Sequence, residues 1–205
     1  ILIKNAESLE LFNKIDTLIF DKTGTLTEGK PSLTYIKALG EYKEDKLLYL
    51  AASLEQSSEH LLGKAIVNAA KERNLTLQKA SNFKSIAAAG ITGIIDELEV
   101  AIGTIKLFEN TYQQEQEIKK FSTEIEKLCS EGKTVMFIGI NNKLSGIFAI
   151  SDPLKKNAAE ALRNLRDQNI KIVMLTGDNK ATASAVGEKL AIDQINAEVR
   201  SEERR

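Results

Sequence analysis

Phe20-Asp21-Lys22-Thr23-Gly24-Thr25-Leu26-Thr27 is the stretch whose reading decides the fold. Ahead of it, Thr17-Leu18-Ile19-Phe20 is a short apolar, β-branched run that reads as a buried strand. Behind it, Gly24, Thr27, Gly29 and Pro31 break regular structure at once. The Asp21 carboxylate is therefore delivered at the C-terminal end of a strand, where open α/β sheets place their ligands. Small hydroxyl and glycine residues follow it, and their backbone N–H groups can surround an oxyanion. A carboxylate so placed suits attack on a phosphoryl group to make an aspartyl-phosphate. An ordinary strand that ends in a surface turn draws on the same residue types, but not on this fixed series of them.

Asp21-Lys22-Thr23-Gly24-Thr25-Leu26-Thr27 resembles the phosphorylation signature of the P-type ATPases, which have a haloacid-dehalogenase-like fold. Soluble phosphatases of that fold usually carry a second acid two residues after the nucleophile, as general acid/base for hydrolysis. Thr23 holds that place here and cannot serve as one, so the acyl-phosphate would persist, as a transport cycle needs.

Composition agrees with a folded, globular chain of 205 residues, long enough for one large or two modest domains. Charged residues make up 28% and hydrophobic ones 42%, without Gly, Pro or Ser clustering. Lys plus Arg (28) nearly balances Asp plus Glu (29), which gives no nucleic-acid surface. Cys129 is alone, which excludes a disulfide framework and a CxxC metal site, and it is expected to be buried on a helix. No apolar run approaches the ~18–20 residues of a membrane span.

Working outward, residues 1–10 begin as an extended apolar stub, after which Asn5 could cap a short helix ending near Lys14. Past Pro31 the pattern changes. Leu47, Leu48, Leu50, Ala51 and Leu54 mark a helix over 43–56, and Ser58 is placed to cap a second from Glu59 to Arg73. Strands are expected at 83–86, 90–95 and 98–102. One helix is expected over 113–130, with Ile118, Phe121, Ile125 and Leu128 on a shared face. Strands 134–140 and 144–150 are joined by a turn at Asn141-Asn142. Ser151-Asp152-Pro153 marks a return point. A helix over 157–168, a strand over 171–175, a helix over 181–190 and a strand near Ile195 then alternate as a parallel sheet does.

The fold class expected is α/β. A haloacid-dehalogenase-like, Rossmann-like parallel sheet would be formed by 1–31 and 151–205, the phosphorylation domain. Residues 32–150 would form an inserted α+β nucleotide-binding domain on an antiparallel sheet.

Thr176-Gly177-Asp178-Asn179 repeats the logic of the signature, with hydroxyl, glycine and acid between a strand end and a helix start, where phosphate binds readily. On its own it reads equally as a helix cap with a tight turn. The resemblance makes it the second phosphate-contacting motif. It places Asp21, Lys22, Thr23, Thr176, Gly177 and Asp178 in the catalytic set, with Thr176 and the Gly177 backbone on the phosphoryl oxygens. Phosphoryl transfer needs a cation to offset charge. The resemblance gives Mg²⁺ the Asp21 carboxylate and the Thr23 carbonyl.

In the inserted block, His60 is the only histidine, and one histidine at a helix start is more often a polar cap than a ligand. Ser58-Glu59-His60-Leu61, however, is similar to the Ser-Glu-His-Pro motif of heavy-metal P-type ATPases. In that family the histidine lies against adenine and a glutamate five residues earlier faces the base, the place of Glu55. The ATP-binding set implied is Glu55, Glu59, His60, Gly90, Gly93 and Gly103.

Three departures stand out. Leu61 replaces proline, Ala88 replaces the first glycine of the glycine loop, and Thr104 replaces an asparagine; together they imply weaker nucleotide binding. Gly132-Lys133-Thr134 is not a P-loop, because Lys127 stands where its first glycine should be. Asp152-Pro153-Leu154-Lys155 resembles the family's interdomain hinge.

At the chain end, Arg204 stands where the family has a lysine that reaches the phosphoryl group. The family's Gly-Asp-Gly-x-Asn-Asp motif does not follow, so the phosphorylation domain is expected to be incomplete within these residues and the isolated fragment nearly inactive.

The resemblance as a whole implies a piece of a heavy-metal (P1B-type) P-type ATPase at the cytoplasmic face of a membrane, a bacterial inner membrane by preference. It would bind ATP or ADP and work with transmembrane and actuator domains of the same polypeptide, to export a soft metal ion, copper first among them. With one cysteine and one histidine, the fragment itself would not bind the transported metal. The reading from another class is a truncated, non-catalytic nucleotide-binding regulatory module.

Overall fold

A computed structural model describes residues 10–11, 14–58, 60–110 and 113–199. The Asn5 cap, Glu59 and Arg204 lie outside the described residues. The chain divides into two compact units, one running to Glu28 and resuming at Leu154, the other Gly29–Pro153. These borders lie three residues away from those read in the sequence. Ser32 still pairs with Ser151, and the Lys30 N–H donates to Asp152 Oδ1 at 3.0 Å, so 29–31 and 151–153 go with the second unit.

The first unit carries strand β1 (Thr17–Asp21), paired in parallel with β8 (Lys171–Leu175), which pairs in parallel with β9 (Gln194–Asn196). Helix α6 (Ala158–Asp167) leads into β8, and α7 (Lys180–Leu190) joins β8 to β9. Ala158 and Leu162 of α6 and Ala183, Val186 and Leu190 of α7 recur at helical spacing. They pack with Leu26, Ile172 and Met174 into one core. Gly187 lets α7 approach β9, since a Cβ there would stand 2.1 Å from Ile195 Cδ1. The expected buried strand at 17–20 needs correction. Among the described residues β1 is an edge strand, paired on one side only, and Ile19 is 59% exposed.

The second unit holds a six-stranded antiparallel sheet in the order β2-β7-β6-β5-β4-β3. Its strands are β2 (Ser32–Ala38), β3 (Ser81–Ile86), β4 (Gly90–Ile95), β5 (Leu98–Gly103), β6 (Thr134–Ile140) and β7 (Lys143–Ser151). Period-two alternation divides the continuous apolar runs of β6 and β7 between two cores. Met136, Ile138, Ile140, Phe148 and Ile150 face the helices α1 (Glu44–Glu55) and α2 (Leu61–Glu72), where Leu47, Leu50, Leu54 and Ile66 are fully buried. Val135, Phe137, Ile147 and Ala149 pack with residues of α3 (Ile105–Asn110), α4 (Glu115–Lys119) and α5 (Ser122–Ser130). A sheet covered on both faces has no need of hydrophobic/polar alternation, which is why its central strands read as unbroken apolar runs. Asn141 and Asn142, at φ 48° and 64°, close β6–β7 with the left-handed pair that two-residue hairpins favour.

Three further expectations change. The helix over 113–130 is two helices, α4 and α5, because Phe121 leaves helical geometry (φ −109°, ψ 11°). Ile118, Phe121, Ile125 and Leu128 still reach one core. The cap of α2 is His60, not Ser58: its Nδ1 accepts the Leu62 N–H at 3.3 Å, and Ser58 Oγ accepts the His60 N–H at 3.2 Å. Strand β2 and the short α3 had no counterpart in the sequence reading; in β2 a register shift between Leu33 and Tyr35 breaks the alternation, so that Leu33 and Ile36 face one core and Tyr35 the other.

Candidate functional site

Asp21 is the last residue of β1, half-buried, and its register partner is Leu175, the last residue of β8. Ending the ladder at this pair brings two loops side by side, Lys22–Leu26 from one strand and Thr176–Asn179 from the other. Lys22–Leu26 is a wide turn closed by the Thr27 N–H on the Lys22 carbonyl at 3.3 Å. Thr23 is extended (φ −74°, ψ 124°) and Gly24 left-handed (φ 77°). Open space surrounds the position a Gly24 Cβ would take, so glycine is needed there for its backbone angle and not for room. Buried Thr27 Oγ1 accepts the Gly24 N–H at 3.0 Å.

In the second loop Thr176 is buried, and its Oγ1 accepts the Asp178 N–H at 3.1 Å. Asn179 caps α7 by accepting the Thr182 N–H at 2.8 Å. The chain after β9 holds this loop from outside: Glu198 N–H donates to the Asp178 carbonyl and Val199 N–H to the Thr176 carbonyl. Between the loops, the Lys22 ammonium is ion-paired with Asp178 Oδ2, the side chains being 7% and 12% exposed.

Mg²⁺ takes oxygen ligands, often one or two carboxylates completed by water and phosphate. Asp21, at a strand end beside the Thr23 backbone, fits such a set. Among the described residues no group of three His, Cys, Asp or Glu converges on a point.

In the other unit Glu55 ends α1 with its side chain buried, and Oε2 has no hydrogen-bond partner among the described residues. It packs against the Gly63 backbone of α2, where a Cβ would meet Oε2 at 2.2 Å. Burial pushes its carboxyl up to about 7, with a Ser58 hydrogen bond pulling the other way. His60 caps the next helix and is exposed. Gly93 lies under Leu54, the neighbour of Glu55: a Cβ would stand 2.8 Å from Leu54 Cδ1. Gly90 and Gly103 are cross-strand partners, and each gives the other room, since a Cβ on Gly90 would meet Gly103 Cα at 2.6 Å and one on Gly103 would meet Gly90 Cα at 2.9 Å. All three glycines thus have a packing reason within the sheet. Ala88, the departure from the glycine pattern, sits in the β3–β4 turn at φ 57°, the left-handed region that glycine suits.

With this geometry in view, a family model described as haloacid dehalogenase-like hydrolase matches residues 15–203. The chain belongs to the haloacid dehalogenase-like hydrolases.

Among curated relatives of this hydrolase chain is a copper-transporting P-type ATPase of Rhizobium leguminosarum bv. viciae. It is 46% identical over 199 residues, which cover 97% of this chain and 23% of that protein. A silver exporting P-type ATPase of Salmonella typhimurium is 41% identical, covering 96% and 24%. A solved catalytic domain of a CPx-ATPase, from work on its conformational changes upon nucleotide binding, superposes with a TM-score of 0.71 at 29% identity. That match covers 98% of this chain and 68% of the other. A zinc-transporting PIB-type ATPase in its E2.Pi state gives 0.65 at 33%, covering 98% and 32%. The resemblance to heavy-metal P-type ATPases read from the motifs therefore extends over nearly the whole chain, which spans about a quarter of the length of those curated relatives.

Sequence reasoning left two residues out of the candidate site. Thr27 was quoted within the signature but given no role; its hydroxyl three residues past Gly24 is a recognisable turn signal. Lys155 donates from Nζ to the Gly24 carbonyl at 2.9 Å and from its N–H to the Leu26 carbonyl at 2.8 Å. No local pattern announces that bond, which joins residues 131 positions apart.

Proposed function

We propose that this chain is the ATP-binding and phosphorylation region of a heavy-metal P-type ATPase, in which ATP phosphorylates Asp21 and the cycle exports a soft metal ion, copper. The observation that carries the reading is the Asp21↔Leu175 register, which sets the nucleophile beside the loop bearing Thr176 and Gly177. In this reading the unit with β1 and β8 is the phosphorylation domain and Gly29–Pro153 the nucleotide-binding domain.

An Asp21 carboxylate oxygen attacks the γ-phosphorus in line, the bond to the β,γ-bridging oxygen breaks, and ADP leaves. Thr176 Oγ1 already accepts the Asp178 N–H, which leaves its hydroxyl proton to donate to a phosphoryl oxygen. The Gly177 N–H is a second donor of that class. The Asp21 carboxylate and the Thr23 carbonyl would hold Mg²⁺, which would supply charge neutralisation when bound. Thr23 offers no base to activate water, so the acyl-phosphate lasts long enough to be coupled to transport. In the other domain, buried Glu55 Oε2 is an acceptor waiting for a donor, as the exocyclic amine of adenine would be, and His60 stands at the mouth of α2 for the ring.

The test is labelling of the full-length protein with ATP carrying γ-³²P. Acid-stable, hydroxylamine-sensitive label is expected in the parent and none in Asp21→Asn. Label of equal intensity in Asp21→Asn would refute the assignment of the nucleophile.

A further inference from the structure

We propose that Lys22 and Asp178 are positioning residues, a buried clasp that holds the Asp21 loop and the Thr176 loop in register, with the Lys22 charge committed to Asp178. The inference rests on the phosphorylation reading above and deepens it, since both residues entered the site as members of the catalytic set without a defined task.

The β1–β8 ladder ends at Asp21↔Leu175, so backbone pairing does not extend into the two loops. Each loop is held from its far side by its own partners. Lys22–Leu26 is held by Thr27 and by both Lys155 bonds; Thr176–Asp178 is held by Glu198 and Val199 and by the Thr176 N–H on the Asn196 carbonyl. The Lys22–Asp178 ion pair is a side-chain tie across the seam between them, and it is sheltered from water on both sides.

Shelter makes the pair costly as a source of stability, because desolvation of two charges offsets their attraction, and an apolar pair of similar size often does as well. What an ion pair adds is geometry. Keeping the cation in contact with the carboxylate limits how far the loop behind Asp21 can stand from the loop that offers Thr176 and Gly177. A lysine held in this way is turned toward Asp178 and is not the cation that meets the transferring phosphoryl group. It acts through the two loops.

The experiment is a double-mutant cycle in the 205-residue chain with Lys22→Met, Asp178→Leu and the pair of them, read by urea unfolding and by site-resolved amide exchange. Each single change strands a buried charge and should lower the folded-to-unfolded ratio on the order of 100-fold, and the double change should recover most of it. Exchange should tell a different story. Asp178→Leu should speed exchange at Gly24 and Thr27, in the opposite loop, and the double variant should stay fast there although its stability has returned. Lys22→Arg should keep both stability and protection.

In the full-length protein, the double variant should be phosphorylated more slowly, on the order of 100-fold, with its half-saturating ATP concentration unchanged, because misplacement affects the chemical step and not nucleotide capture. Protection at Gly24 and Thr27 returning to the parent level in the double variant, or a parental phosphorylation rate, would overturn the proposal. If a single variant does not fold, the double variant and Lys22→Arg still decide it. The exchange readout needs no phosphoryl transfer, so loss of the Asp21 reading and loss of the clasp are separate results.

Discussion

In the unit built on β1, β8 and β9, the buried Asp178 carboxylate meets the Lys22 ammonium. In the unit built on six antiparallel strands, the buried Glu55 carboxyl has no cation beside it among the described residues, and its Oε2 makes no hydrogen bond to them. The first arrangement balances its charge before any ligand arrives, which suits the proposed role of a site whose nucleophile and donors stay at fixed distances. The second keeps an electrostatic penalty in the resting protein, and a ligand that brings a donor relieves it on binding. That relief is a source of affinity which a fully satisfied pocket does not have. The cores follow the same contrast. Among the described residues, the six-stranded sheet is buried on both faces by two clusters, whereas the three-stranded sheet is lined by one and leaves Ile19 open.

The largest expected effect breaks this comparison by removing the unmatched charge. With the Glu55 carboxyl pushed from its ordinary 4.5 up to about 7, the folded state holds a proton that the unfolded state releases. Stability should therefore be greatest below pH 4.5 and fall as pH rises to 7, by about 3 kcal/mol through this group. Glu55→Gln should flatten that segment of the urea-unfolding profile. A parental slope in the variant would show that Glu55 is not its origin. Next in size, on the balanced side, Thr27→Val removes the buried acceptor of the Gly24 N–H and should cost about 2 kcal/mol by the same assay, with no change in the Glu55 titration segment.

His60→Ala sharpens the other side of the comparison. It deletes the cap of α2 and should cost about 1 kcal/mol, and calorimetric titration should show weaker ATP binding as well. Equal affinity in parent and variant would remove His60 from the nucleotide site while leaving the cap intact as an observation. The smallest effect is a gain. Ala88→Gly relieves a left-handed alanine and should stabilise the second unit by about 0.5 kcal/mol, after the added freedom of glycine in the unfolded chain is subtracted. Thermal unfolding resolves a shift of that size, and tighter nucleotide binding alongside it would mean that the alanine, not its backbone angle alone, obstructs approach.

Much of this architecture was legible in advance where local chemistry is strong. Strand β8 begins and ends where the strand expected over 171–175 does, and the Asn141-Asn142 hairpin announces itself because few residues tolerate its backbone angles. Legibility fell where two signals compete. Phe121 fits the apolar face of a continuous helix, yet its own backbone angles leave the helix, so the chain is broken there while the face is kept. Ser58 and His60 are both able to cap a helix, and only the position of the first turn selects His60. The glycines of the nucleotide set were read as places for a ligand to come close, yet their neighbours in the fold include Leu54, Ala89 and each other.

The sequence by itself determined that a carboxylate stands at a strand end behind small hydroxyl and glycine residues, that a second such loop follows 155 positions later at Thr176, and that the block between them has its own strands and helices. These are matters of residue type and spacing, which act over a few residues and leave a local trace. Only the tertiary structure decided that Lys22 is turned to Asp178, that Lys155 holds the Gly24 carbonyl, that Gly90 and Gly103 stand face to face, and that Glu55 is buried with an oxygen unmatched. The Lys22, Lys155 and Gly90 pairings depend on strand register or on contacts between residues far apart in the chain, and the isolation of Glu55 depends on what packs around it. A lysine reads the same in sequence whether its ammonium ends in water or against a carboxylate. Burial, set by the whole fold, makes that choice and gives it an energy large enough to matter.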